Sequence, residues 1–180
     1  MITSHCKSKK RAQINAILKK EFLDDKFCTK DLEKKSSLKS ISSIKIKYVS
    51  RQIMSVVTQY DIYCGGPYPN QGKLYTTYNL TSGEKFDLLN QVKDMSVFRA
   101  FLAKQFQRHI PQKVPQTCHD LYSTEELLHM DPQFILTARA LIIRADYVHA
   151  VKICEFDIAI QRCTMNQFLK SDSLLGLRCT

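Results

Sequence analysis

Hydrophobic positions divide the chain into a basic N-terminal arm and a longer part with strand and helix periodicity. In residues 9–27, apolar side chains recur at spacings of three and four, which predicts an amphipathic helix with one packed stripe: Ile14, Ile17, Leu18 and Phe22. Residues 31–43 are rich in Lys and Ser without periodicity, which is typical of a linker. We therefore predict a basic helix and linker over residues 1–43 and a single α+β domain over residues 44–180.

The middle of the chain alternates between apolar and polar positions, as half-buried strands do. Three strands are predicted, over residues 44–48, 52–64 and 73–80. Ser50-Arg51 is the predicted turn between the first two, and residues 81–84, with a glycine, predict a tight turn after the third.

After this turn, apolar residues recur at helical spacing and no longer alternate with polar ones. Asp87 is placed to cap a short turn, residues 94–109 predict a helix, residues 110–120 break the pattern with two prolines, and residues 123–130 predict another helix. Three further strands follow, over residues 134–137, 140–145 and 154–163, and Thr164 is placed to cap a last helix. Because strands and helices do not alternate as in βαβ units, we predict an α+β fold with a largely antiparallel sheet, packed with a few helices.

The positive charge is concentrated in the arm. Residues 1–50 hold 13 of the 27 Lys and Arg residues and 5 of the 17 Asp and Glu residues, so they carry most of the net charge of +10. Such an arm attracts nucleic acid, anionic lipid or anionic glycan. Aromatic side chains for base stacking are scarce there, which disfavours nucleic acid. No apolar run approaches the ~18 residues of a membrane helix, so no transmembrane segment is predicted.

The chain has seven cysteines and no Cys-x-x-Cys pair, which disfavours a structural metal site. Two alternatives remain: scattered reduced thiols, or one to three long-range disulfides. Cys118 precedes the strand at residue 134 and Cys154 opens the last strand, so neighbouring segments can bring them together. Cys118–Cys154 is the disulfide we predict, and we predict no metal and no cofactor.

A loop with paired glycines and two prolines, residues 65–70, lies between the second and third predicted strands. Paired glycines adopt unusual backbone angles or allow close approach, and prolines fix their own φ. We predict that this loop binds a ligand through Gly65, Gly66, Pro67, Tyr68, Pro69 and Asn70.

The loop, with Tyr63-Cys64 before it and residues 78–89 after it, resembles the domain at the C-terminus of a lysozyme-binding anti-sigma factor and in some peptidoglycan deacetylases. That family has a Gly-Gly-Ala-His-Pro-Asn loop followed by a hairpin and a helix, and short matches continue in order to about residue 175. Pro67-Tyr68 stands here in place of Ala-His, so no role is transferred to a loop histidine. The resemblance implies an α+β domain of the cell envelope that recognises a protein or glycan.

Catalytic residues are not indicated. Two Cys and His combinations are conceivable nucleophile pairs, Cys118-His119 and His149 with Cys154. However, sequence neighbours rarely align sulfur with imidazole, and no third group is evident. The deacetylase relatives carry their chemistry in a separate domain whose paired Asp and His motifs are not found in residues 51–180. We therefore expect the protein not to be an enzyme.

Two functional hypotheses follow. The first is a non-catalytic, extracytoplasmic domain, associated with peptidoglycan or the periplasm, that binds an anionic glycan, a lipid surface or an envelope protein. Since the first residues contain no export signal, this hypothesis requires a signal that is not part of this sequence. The alternative is a cytoplasmic interaction or nucleic-acid-binding protein that uses the basic arm and keeps its thiols reduced.

Overall fold

A computed structural model describes residues 12–19, 39–62, 70–122, 132–145 and 153–175 of the chain. Its contacts group into two compact units, Met1–Lys85 and Phe86–Thr180. The predicted domain boundary at residue 43 stays a prediction. None of the described helices is long and apolar enough to cross a membrane.

The first unit contains an antiparallel sheet in the order β1-β2-β3, formed by Lys39–Val49, Ile53–Ile62 and Asn70–Asn79. The predicted turn at Ser50-Arg51 is confirmed, because the Ser50 N–H donates to the Ile53 carbonyl at 2.8 Å. β1 begins at Lys39, before the alternation that starts at Ile44. Backbone pairing continues to Lys39 opposite Ile62 and does not depend on the side-chain pattern.

Helix α1, residues 12–19, carries the apolar stripe predicted from the spacing of Ile14, Ile17 and Leu18. Ile17 is buried in one hydrophobic cluster with four residues of the sheet and the turn that follows it: Met54, Val56, Tyr78 and Leu80. Burial of one such aliphatic side chain contributes about 1.5–3 kcal/mol. One turn of the stripe therefore holds the helix on the sheet.

The tight turn after β3 forms as predicted around Gly83. Its φ is +79°, a conformation that side chains disfavour, and its N–H donates to the Asn79 carbonyl at 2.8 Å. A Cβ at this position would meet no atom within 4 Å. The backbone angle, and not the available space, is therefore the reason for glycine here.

The second unit also contains an antiparallel sheet, in the order β4-β5-β6. Its elements are a 3-10 turn at Leu89–Gln91, α2 at Met95–His109, α3 at Gln116–Leu121, β4 at Gln133–Leu136, β5 at Ala140–Arg144, β6 at Asp157–Gln161 and α4 at Arg162–Asn166. The predicted α+β class with antiparallel pairing is confirmed, and the strands of the described ranges form two separate sheets.

Two local predictions for this unit are wrong. The proline-containing stretch 110–120 was predicted to be irregular, but α3 begins directly after Pro115, since proline is tolerated where a helix starts. Thr164 was predicted to cap the last helix, but it lies inside α4, which follows β6 without a loop. The helix predicted over residues 123–130 lies outside the described residues.

The predicted disulfide is confirmed: Cys118 of α3 is bonded to Cys154, and both are buried. Beside it, the Tyr122 hydroxyl donates to the Cys154 carbonyl at 2.6 Å. The Tyr122 ring stacks on Phe106 of α2, with ring centroids 5.1 Å apart. The disulfide and the hydrogen bond both end at Cys154, and the hydrogen bond and the ring contact both involve Tyr122. Together they tie α2 and α3 to the segment that enters β6.

Asp94 caps α2, accepting from the backbone N–H groups of Ser96 and Val97 at 3.0 and 3.1 Å. The hydrogen bonds from the Val97 backbone and the Ser96 side chain lower the pKa of Asp94 below its ordinary value of 3.8. We expect Asp94→Ala to lower the melting temperature by about 2–4 °C at neutral pH, through loss of the cap.

The pH dependence of this difference identifies its cause. A depressed carboxyl pKa stabilises the folded state above the unfolded-state pKa, and this contribution is lost as the pH falls through the folded-state pKa. Melting curves of the Asp94→Ala variant and the unsubstituted protein should therefore converge below pH 3.8. A difference that persists unchanged there would contradict the capping role. Asp172→Ala, at an exposed position, is the control.

Candidate binding site at the tip of the β2–β3 hairpin

The predicted binding loop connects the ends of β2 and β3. Gly65, Gly66, Pro67, Tyr68 and Pro69 lie outside the described residues, whereas Asn70 is the first residue of β3. Asn70 pairs with Ile62, the last residue of β2. The loop sequence therefore starts and ends at two strand ends that are held side by side. The proposed binding role of these six residues stays a prediction.

The strand ends beside this loop form an open depression of about 410 Å³. We call the residues that line it the tip cluster: Gln59, Tyr60, Asp61, Gln71, Gly72 and Lys73. The register places them directly opposite one another as three cross-strand pairs, Gln59 with Lys73, Tyr60 with Gly72, and Asp61 with Gln71. Antiparallel pairing thus brings together residues that are ten to fourteen positions apart in sequence, with Gln59, Asp61, Gln71 and Lys73 on one face of the sheet and Tyr60 and Gly72 on the other.

Hydrogen bonds order the polar side chains of the tip cluster. The Gln71 amide nitrogen, Nε2, donates to Asp61 Oδ2 at 3.0 Å. On the other side, the Ser43 hydroxyl of β1 donates to Gln59 Oε1 at 2.7 Å. Polar contacts therefore run from β1 through β2 to β3 and hold two amides and a carboxylate in place.

The tip cluster continues a sheet face that is buried further along the same strands. Side chains at every second position share a face, so Gln59 and Asp61 lie on the same side of the sheet as Ser55 and Val57. Ser55 is fully buried and its hydroxyl lies 2.8 Å from the Thr77 hydroxyl, whereas Gln71 and Lys73 are exposed. The face thus changes from buried to solvent-exposed towards the loop.

The tip cluster carries balanced charge. Asp61 contributes a carboxylate and Lys73 an ammonium group, while the remaining side chains are neutral. Within the ranges that the structure describes, no group of three or more His, Cys, Asp or Glu side chains is arranged to hold a metal ion. The local chemistry of this patch is hydrogen bonding.

The nucleophile pairs weighed from the sequence have a different environment. Cys118 and Cys154 are bonded to each other, so neither sulfur is a free thiolate in this structure. His119 is exposed on α3, and His149 lies outside the described residues. His109 is exposed too, and its Nδ1 lies 2.8 Å from the Gln105 carbonyl of the same helix.

The tip cluster is not recognisable as a site from the sequence. Gln59 and Asp61 occupy alternate positions of the predicted strand 52–64, and Lys73 begins the predicted strand 73–80, where polar residues are ordinary. Gln71 precedes that predicted strand, whereas the observed β3 begins at Asn70 and includes it. The sequence pattern that could indicate this site is a change from apolar to polar residues at the ends of two strands, on either side of a glycine-proline loop. That signal becomes specific only when the pairing register is known.

Comparison with known proteins shows a structural likeness. No family model and no curated protein matches the sequence. The fold is similar to that of a solved DUF3298 family protein from Bacteroides fragilis, with a TM-score of 0.57 at 16% identity over 77% of this chain and 56% of that protein. A DUF3298 family protein from Pseudomonas aeruginosa also matches, with a TM-score of 0.39 at 13% identity over 71% of this chain and 61% of that one.

The chain therefore spans less than two thirds of the length of these two proteins. At 16% identity, the likeness to the Bacteroides fragilis protein concerns the fold and not the ligand. The sequence resemblance to the anti-sigma factor and deacetylase domain stays a prediction. What the comparison supports for this chain is a domain with a fold similar to that of a DUF3298 protein.

Proposed function

We propose that this protein is a non-catalytic, extracytoplasmic binding domain that attaches to a macromolecule of the bacterial cell envelope, either a cell-wall glycan or a protein. The observation that carries the proposal is the tip cluster, a polar and partly exposed end of a sheet whose other end is buried. Loops and strand ends on a rigid scaffold are where binding residues concentrate. The loop that resembles the envelope family connects these same strand ends.

The disulfide supports the location. Disulfides such as Cys118–Cys154 form and persist in oxidising compartments and are rare in the cytosol. Both cysteines are buried, which is typical of a structural rather than a redox-active disulfide. This observation favours the extracytoplasmic hypothesis over the cytoplasmic alternative with reduced thiols.

The test is retention of the purified protein on insoluble bacterial cell wall. We expect retention at low ionic strength that decreases several-fold as NaCl is raised to about 0.5 M, because screening removes the attraction of the basic arm. Tyr68→Ala, in the predicted binding loop, is expected to reduce retention about tenfold through loss of an aromatic contact.

Val97→Ala is the control for truncation of an exposed side chain, since Val97 lies on α2 with 53% of its surface exposed. It should leave retention unchanged. No retention at low salt would refute binding to the wall. Acetate release from acetylated chitin oligomers would refute the non-catalytic assignment.

A further inference from the structure

We propose that the tip cluster is a subsite for an uncharged saccharide rich in hydroxyl and acetamido groups. This inference rests on the proposed function and names the ligand class for its binding site. The supporting observations are the donors and acceptors of the cluster, its charge, and the lack of aliphatic side chains among the described residues that line it.

The donors and acceptors match those of a sugar. Asp61 is an acceptor, Lys73 a donor, and Gln59 and Gln71 are both. Sugar hydroxyl groups also donate and accept, and an acetamido group presents one N–H and one C=O. The contacts from Ser43 to Gln59 and from Gln71 to Asp61 fix three of these groups before a ligand arrives, which reduces the entropy cost of binding.

The charge of the cluster disfavours a polyanion. A phosphate or carboxylate ligand would meet Lys73 and the Asp61 carboxylate in the same depression, so attraction and repulsion oppose each other. Sites for polyanions instead gather several Lys or Arg side chains, each neutralising one charge. The basic arm fits that description and the tip cluster does not. The basic arm therefore suits an anionic component of the envelope, and the tip cluster suits an uncharged one.

The lining also disfavours a protein ligand at this patch. Protein interfaces depend on aromatic or aliphatic anchors buried in fitted pockets. Among the described lining residues no side chain is aliphatic. Tyr60 lies between Gln59 and Asp61 along β2, so its side chain is on the other face of the sheet and provides no aromatic anchor beside these polar groups.

The depression has the dimensions and shape for such a ligand. Its volume of about 410 Å³ lies within the range of small-molecule pockets, roughly 300–1,000 Å³. It is open towards solvent, so a longer chain can continue beyond it. A glycan strand, in which one or two sugar units are bound and the rest extends away, fits this shape better than a small molecule that must be enclosed.

The experiment is calorimetric titration of the full chain with tri-N-acetylchitotriose, an uncharged probe, to about 10 mM. We expect saturable binding that changes less than about twofold when NaCl is raised to about 0.5 M. Asp61→Ala and Gln71→Ala should each weaken binding about tenfold, because each removes hydrogen bonds to the ligand. Lys73→Ala should weaken it less, since Lys73 is a single exposed donor.

Matched controls come from exposed residues of the same types in the second unit: Asp172→Ala, Gln112→Ala and Lys113→Ala. Each should bind like the unsubstituted protein. Thermal melts of all variants separate loss of binding from loss of folding. Because the tip residues lie at a strand end, the tip variants should have the same melting temperatures as the control variants.

Each outcome decides between the two proposals. Absence of chitotriose binding, or equal binding by the tip variants and the controls, overturns the saccharide subsite. Stronger, salt-sensitive binding of a soluble polyanion such as polygalacturonate that is lost in Lys73→Ala also overturns it. If the protein is still retained on cell wall in these cases, the proposed function stands and only the subsite fails. If it is not retained at all, the proposed function fails as well.

Discussion

Replacement of Cys118 and Cys154 together by alanine is expected to lower the free energy of unfolding by about 4 kcal/mol. The disulfide closes a loop with a sequence separation of 36 residues. In the chain-entropy account, a cross-link over a loop of this length restricts the unfolded chain by about 4 kcal/mol at 25 °C. Both cysteines are buried, so their replacement also removes packed sulfur atoms from the core.

This effect would be a large part of the stability of the protein, since domains have only about 5–15 kcal/mol in total. The measurement is urea-induced unfolding under non-reducing conditions, with peptide mass mapping to confirm that the two cysteines are joined before substitution. The double variant is preferred because a single variant leaves one thiol free to exchange with other cysteines.

Exposed neighbours of the two cysteines supply the controls. Thr117→Ala and Ile153→Ala change adjacent positions without touching the cross-link, and Ile153 is 71% exposed. Both should stay within about 0.5 kcal/mol of the unsubstituted protein. A double cysteine variant as stable as these controls would contradict a stabilising disulfide. Alkylation of both thiols without prior reduction would contradict its presence, and the extracytoplasmic location would lose its main support.

Arg144→Met is expected to destabilise the protein by about 3–5 kcal/mol, the usual cost of removing one partner from a buried ion pair. Arg144 is 9% exposed in β5, and its Nε donates to Asp157 Oδ1 of β6 at 2.7 Å. Its Nη1 lies 3.7 Å from Glu155 Oε2, and the Glu155 side chain is only 7% exposed. Methionine keeps much of the side-chain volume but removes the guanidinium that lies 3.7 Å from the buried Glu155 carboxylate.

The partners of Arg144 allow a test of this cause. The variant Arg144→Met/Glu155→Gln/Asp157→Asn removes both carboxylates together with the guanidinium, so it should recover part of the lost stability. Asp157 contributes less than Glu155, because its side chain is 34% exposed and solvent screens its charge. Arg139→Met, at an exposed position just before β5, is the matched control and should be near neutral. Equal loss in the single and triple variants would show that packing and not charge is responsible.

The two predictions concern the same part of the second unit. The disulfide fixes Cys154 to α3, and Arg144 holds the next residues, Glu155 and Asp157, against β5. The chain between α3 and β6 is thus fixed at its end by a covalent bond and an ion pair. We expect hydrogen exchange at the start of β6 to increase in both variants, which would show that the segment opens locally when either link is removed.

Features that depend on near neighbours were predictable from the sequence. The spacing of Ile14, Ile17 and Leu18 indicated the buried stripe of α1, Asp94 indicated the start of α2, and Gly83 indicated the turn after β3. Each depends on interactions within about four residues, where helix periodicity, capping and positive φ act. The sequence by itself therefore determined the type and position of most elements, and with them the α+β class.

Features that depend on pairing between distant segments were decided by the tertiary structure. The sequence made Cys118–Cys154 one disulfide among several alternatives, and the contact of α3 with the segment before β6 selected it. The strands had no assigned partners until the register grouped them into two sheets. The tip cluster exists for the same reason: polar residues at two strand ends become one site only when Asp61 lies opposite Gln71. Local propensity carries no information on such register, because register is set by side-chain burial and backbone pairing over the whole sheet.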